Sequence, residues 1–167
     1  VVSVNFPADI AFSGSDIIVT DYEGGRLLRV TTGGTVSVIA LGLSHIGGLG
    51  ISGQNFIVSH QNLNGNTLLS RVALDGTVTL LWSSPPNIGY GAFKSLAIVG
   101  SDIFATDNAT ISRFTQGGTF LAQAQPPGIG QMISIAASGS DIIATDWSNQ
   151  KLLRITPYPP AQSAVPT

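Results

Sequence analysis

Asp21, Asp107 and Asp146 each end an apolar, β-prone run, and His60 takes the same place in a fourth such run. A circle of carboxylates at strand ends could hold a cation or anchor a ligand. The same groups could instead accept hydrogen bonds from nearby backbone N–H groups, or pair with an arginine. Asp16, Asp102 and Asp141 recur in the same way, as do Arg29, Arg71, Arg113 and Arg154. Recurrence once per repeat favours scaffolding, because sites are usually singular while scaffolds repeat. His45 and His60 could act as metal ligands or as an acid and a base. They lie on different segments, and the strand length between those segments sets them toward opposite ends of one unit. The single glutamate, Glu23, has no histidine near it in sequence. This inventory leans away from an enzyme and assigns no catalytic residue, metal site or cofactor.

Departures from the repeat are more informative. Tyr22 and Trp147 follow the terminal aspartate in the first and last runs, where the other two have Gln61 and Asn108. Aromatics exposed on a polar rim suit sugar stacking or a protein contact; ordinary loop packing is the alternative. Tyr22, Trp147 and the pattern-breaking His60 are therefore the candidate binding residues. Asn108-Ala109-Thr110 fits the N-glycosylation acceptor pattern.

The elements that position these residues form one unit written four times: GSDIIVTDYEGGRLLRV from Gly14, then related stretches from Gly53, Gly100 and Gly139. Each unit reads as a strand ending at the glycine, a continuous apolar second strand, a variable loop and a third strand carrying the arginine. A Gly turn and a fourth strand follow in the first three units. Small and apolar residues mix in the first strand, as on strands crowded toward an axis. No 3.6-residue periodicity interrupts this pattern. Four short strands per unit at a period of roughly 40 residues is the signature of propeller blades.

The ends of the chain fit a circular arrangement. Val1–Phe6 (VVSVNF) matches the fourth strands TVSVIA from Thr35 and TVTLLW from Thr77, whereas the last unit stops after its third strand. The N-terminal strand is thus expected to complete the last blade, either within the chain or in a neighbouring copy. The expectation is an all-β, four-bladed propeller over residues 1–157. Its repeats cover about 7–44, 45–90, 91–130 and 131–157, with strand 1–6 completing the last. Residues 158–167 read as a Pro/Ala-rich tail. Its ending AVPT resembles the start of a C-terminal sorting signal of Gram-negative surface proteins, and a plain linker is the other reading.

Composition narrows the function classes. The 167 residues are 43% hydrophobic and only 10% charged, which favours a packed interior over disorder. A net charge of −2, with no run of Lys or Arg, gives no footprint for nucleic acid. No apolar stretch approaches the ~18 residues of a membrane span, and there is no cysteine for a disulfide or thiolate site. A surface of Ser, Thr, Asn and Gln fits an extracellular or cell-surface protein.

The Asp-ended β run, the short loop, the apolar-apolar-Arg-apolar strand and the Gly turn together resemble the NHL repeat. They are also similar to repeats of virginiamycin B lyase-like and gluconolactonase-like propellers. The resemblance spans Val1 to Pro157 and implies the propeller fold. Those families usually have six or seven blades, so a chain with four is either a small closed ring or a part that assembles with copies of itself. Their lyase or lactonase sites need His, Glu and Asp converging from several blades, which this chain does not offer in sequence. The expected function is a non-enzymatic interaction or assembly module with a protein or glycan partner, or copies of itself. The competing expectation is a metal-dependent lyase or lactonase using His45 or His60.

Overall fold

The computed structural model of the chain describes residues 4–85 and 92–157. Fifteen strands and no helix are found among them. The first blade comprises β1 (Pro7–Ser13), β2 (Asp16–Asp21), β3 (Arg26–Val30) and β4 (Val36–Ala40). The second holds β5 (Leu49–Ser52), β6 (Asn55–Gln61), β7 (Thr67–Val72) and β8 (Val78–Ser83). The third holds β9 (Ser95–Val99), β10 (Asp102–Thr106), β11 (Ile111–Thr115) and β12 (Phe120–Ala124). The fourth has β13 (Met132–Ser138), β14 (Asp141–Asp146) and β15 (Lys151–Ile155). Each blade is an antiparallel meander in sequence order. The β-branched and aromatic residues of the second strands suit a pleated surface buried on both sides. Gly14, Gly53, Gly100 and Gly139 have φ of 62°, 60°, 59° and 63°, the left-handed backbone that each β1–β2-type turn requires.

The four blades form a propeller. Its first strands β1, β5, β9 and β13 line a central channel of about 330 Å³. Side chains alternate across each strand, so the second and third blades each have one face toward the preceding blade and one toward the next. Three apolar clusters fill the contacts between consecutive blades. Ile18 and Leu27 of the first blade meet Leu49, Phe56, Val58 and Val72 of the second. Ile57 and Leu69 of the second meet Leu96, Ile103 and Phe114 of the third. Phe104 and Ile111 of the third meet Ile135, Ile142 and Leu153 of the fourth. β1 packs beside β5, β5 beside β9 and β9 beside β13, but β13 and β1 do not pack together in this way.

The expected outer strand Val1–Phe6 is corrected in part. Val4–Phe6 form no strand. Tyr22 N donates to Phe6 O (3.0 Å) and Glu23 N to Asn5 O (3.1 Å). The bond to Phe6 is repeated by Gln61 N to Ser44 O (2.8 Å) and Trp147 N to Gln131 O (2.8 Å). Phe6 therefore holds the place of a connecting segment that crosses its own blade. The physical reason is reach: an outer strand must return to the inner one across three strand spacings, about 14 Å. Leu41 to Gly48 make that journey between β4 and β5, and too few residues separate Phe6 from β1 to do the same. Val1–Ser3 and the 158–167 tail lie outside the described residues. Among the described residues the fourth sheet has three strands.

The turn before each outer strand tests the packing of one blade on the last. Gly76 (φ 85°) and Gly118 (φ 90°) sit against the carbonyls of Ile39 and Leu81 in the preceding blades, so an added Cβ would collide with backbone. Gly34 (φ 79°) is their counterpart in the first blade, and an added Cβ there meets nothing within 4 Å among the described residues. Gly34→Ala should cost only the left-handed backbone penalty, about 1–2 kcal/mol. Gly118→Ala should cost clearly more, as read from urea midpoints; equal losses would contradict this blade contact.

Candidate functional site

The repeated charges are occupied locally. Arg29 Nε donates to Asp16 Oδ2 (2.6 Å), Arg113 Nε to Asp102 Oδ2 (2.5 Å) and Arg154 Nε to Asp141 Oδ2 (2.5 Å). Each pair joins the start of a second strand to the third strand beside it. In the second blade Asn55 replaces the aspartate, and Arg71 instead donates to the Gln116 carbonyl of the next blade (2.6 Å). The strand-ending aspartates fasten the loops that follow them. Asp21 Oδ1 accepts from Gly24 N (3.2 Å) and Asn5 N (2.9 Å), and its Oδ2 accepts from Arg26 Nε (2.8 Å). Asp107 Oδ1 accepts from Thr110 N (3.2 Å). Asp146 accepts from Gly130 N (3.0 Å) and Asn149 N (3.3 Å). Those donors, the Gly130 amide foremost and then Asn149, hold the Asp146 carboxyl below its usual range.

His60 cannot fasten a loop in this way, and Asn62 Oδ1 does so instead, accepting from Asn64 N and Asn66 N at 2.9 Å. The imidazole is buried; its Nε2 lies 2.9 Å from Ser70 Oγ, while Nδ1 meets no partner at hydrogen-bond geometry among the described residues. Burial lowers its pKa, and the nearby Gln61 backbone acts weakly the other way. The expectation that His45 and His60 lie toward opposite ends of a blade is corrected. The bond from Gln61 N to Ser44 O sets the two segments side by side. A connecting segment crosses the whole blade, so sequence distance between loops does not report their distance in space. The His45 ring packs edge-on to Tyr22, with centroids 5.0 Å apart. Among the described residues, no group of three or more His, Asp or Glu is gathered to hold a metal.

The loops after the second strands converge at one end of the channel. A hollow of about 590 Å³ there is lined by Phe6, Tyr22, Gln61, Lys94, Asn108 and Ile133, drawn from all four blades. Phe6 packs on Tyr22 with centroids 6.1 Å apart. Lys94 Nζ donates to Asn108 Oδ1 (2.6 Å), which also accepts from Gln131 Nε2 (3.3 Å). Ile133 also lines an adjoining groove of about 680 Å³, together with Thr145, Trp147, Lys151 and Leu152 of the fourth blade. Trp147 is 70% exposed there. Tyr22 thus lies in the channel mouth, Trp147 in the neighbouring groove, and His60 beneath the surface. Sequence reasoning missed Phe6, Lys94 and Ile133 as lining residues. Gln61 and Asn108 were legible, since they share the loop position of Tyr22 and Trp147.

No family model matches the sequence, and no curated protein does. Solved structures match in fold. A nidogen/laminin complex superposes with a TM-score of 0.71 at 18% identity, covering 90% of this chain and 59% of that one. Virginiamycin B lyase from Staphylococcus aureus gives 0.66 at 19% identity, covering 92% and 55%. A gluconolactonase from Xanthomonas campestris gives 0.67 at 16% identity, covering 86% and 55%. The fold is that of NHL-type β-propellers. This chain spans between 55% and 59% of the length of these three.

Burial of His60 carries a signed pH dependence. The unfolded chain takes up this proton near pH 6.5 and the folded chain only at lower pH. The stabilising difference is therefore fully present above about pH 6.5 and is lost as pH falls below it. In urea titrations from about pH 7 to 5, His60→Gln should flatten this decline; an unchanged slope would assign it elsewhere.

Proposed function

We propose that the chain is a secreted or cell-surface, non-enzymatic propeller that binds a protein or glycan partner at the channel mouth. The observation that carries this reading is the placement of Tyr22, Gln61, Asn108 and Trp147. Each occupies the same loop position in its blade, and together they surround the mouth and its adjoining groove. Aromatic faces, side-chain amides and the apolar Ile133 surface form a patch suited to a sugar or a protein loop. His60 enters as the buried residue beneath Gln61. The likeness to a propeller in a nidogen/laminin complex supports a protein partner.

Completion of the fourth sheet belongs to the same proposal. Phe6 corresponds to Ser44, which lies in the segment that follows β4. In this reading the N-terminal strand completes the sheet at the edge of β15, which has no partner strand among the described residues, in this chain or in a neighbouring copy.

A second reading is a metal-dependent lyase or lactonase. It is favoured by the juxtaposed His45 and His60 segments and by the lyase and gluconolactonase neighbours. Binding to immobilised matrix glycoproteins and polysaccharides separates the two. Tyr22→Ala should weaken binding roughly tenfold, the loss of one aromatic anchor, without lowering the melting temperature. Turnover of a lactone or of virginiamycin B, abolished by chelator and by His60→Ala, would overturn the binding-module reading.

A further inference from the structure

The three internal blade contacts obey one rule, and the two outermost faces break it. Leu27, Leu69 and Ile111 are equivalent residues on the face turned toward the next blade. They are 0%, 0% and 8% exposed, whereas their counterpart Leu152 in the fourth blade is 75% exposed. Leu49, Leu96 and Ile135 are equivalent on the face turned toward the preceding blade. Each is 4% exposed, but Ile10 in the first blade is 60% exposed, with Phe12 beside it at 71%. Ile17, Val19 and Val30 extend this first-blade face and are half-buried, Leu28 on the same face is fully buried, and the half-buried Ile143 extends the fourth-blade face.

The hydrogen bonds follow the same rule. Asp9 Oδ2 accepts from Leu49 N of the next blade (2.9 Å), and Ser95 Oγ accepts from Ile135 N of the next blade (3.2 Å). Their counterpart in the fourth blade is Ser134, whose described partners are Thr145 and Ser95. The corresponding donor, Ile10 N, turns back to its own Asp9 Oδ1 (2.8 Å). A Cβ added at Gly34 meets nothing within 4 Å among the described residues, where Gly76 and Gly118 meet a preceding blade. The free face of the fourth blade is thus of the kind that packs on the free face of the first.

The chain does not bring these faces together itself. Its four blades superpose, over 92% of the chain, on 55% of a larger propeller, so its curvature is that of a wider ring. We infer that a second copy of this chain covers both faces, head to tail, to close an eight-bladed ring. Leu152 and Ile143 of each copy pack against Ile10, Phe12 and Val19 of the other, and Ser134 Oγ accepts from Ile10 N. The contact is heterologous in type and closes under twofold symmetry, because each copy supplies one face of each kind. The inference goes beyond the channel-mouth reading, which stands or falls on the separate Tyr22→Ala binding measurement.

The test is the mass of the chain in solution, by light scattering, for the wild type and two charge variants. The wild type should run at twice 17.2 kDa. Leu152→Glu and Ile10→Lys should each give monomers with wild-type circular dichroism, because both side chains are exposed in a single chain. A charge buried in either contact should weaken the dimer by roughly two orders of magnitude or more. Mixing the two variants should restore a dimer, since one of its two contacts is then wild type and the other pairs Glu with Lys. A monomeric wild type would overturn the inference, as when further blades of a longer polypeptide fill the gap. So would a dimer indifferent to both substitutions, or two variants that fail to complement.

Discussion

The structure depends on the apolar contact between consecutive blades. A four-stranded antiparallel sheet with residues such as Ile18 and Leu27 on one face and Val19 and Val30 on the other cannot bury both faces alone. Each blade is therefore stable only as part of a stack, and stability resides in near-identical nearest-neighbour contacts. The repeated ion pairs are secondary. Asp16–Arg29 and its counterparts staple strands within a blade, with arginine side chains between 33% and 73% exposed. Exposed pairs of this kind typically contribute less than about 1 kcal/mol. Fully burying one leucine contributes about 2 kcal/mol.

This division of labour engages the strand-ending acidic residues locally. Asp21, Asp107 and Asp146 accept amide hydrogen bonds from the loop three residues on, so their carboxylates point into their own turns. Where that duty is lifted, at His60, the loop is longer and is fastened by Asn62. The residue one position further along carries no such fastening role. That position carries Tyr22, Gln61, Asn108 and Trp147, and it is there that the blades differ in chemistry.

Much of the fold was legible because the repeat fixes several independent signals at once. The glycine at φ near 60°, the β-branched second strand and the arginine strand each recur in step, and four blades follow from them. The strand expectation overran at Val4–Phe6, because apolar alternation in VVSVNF reports strand-like character and says nothing of the chain length needed to cross a blade. The placement of His45 beside His60 was hidden for a related reason: connecting segments cross the blade, and periodicity does not describe them. The uncovered faces were not legible either. Ile10 and Leu152 have the same residue types as their buried counterparts, and only the curvature of the stack decides which are covered.

An incomplete stack with complementary ends is the central feature of this account, and direct images of the purified chain in the electron microscope test it. Class averages viewed along the channel should show closed rings of eight blades built from two chains. A closed ring of four blades, with Leu152 packed on Ile10 of the same chain, would contradict it.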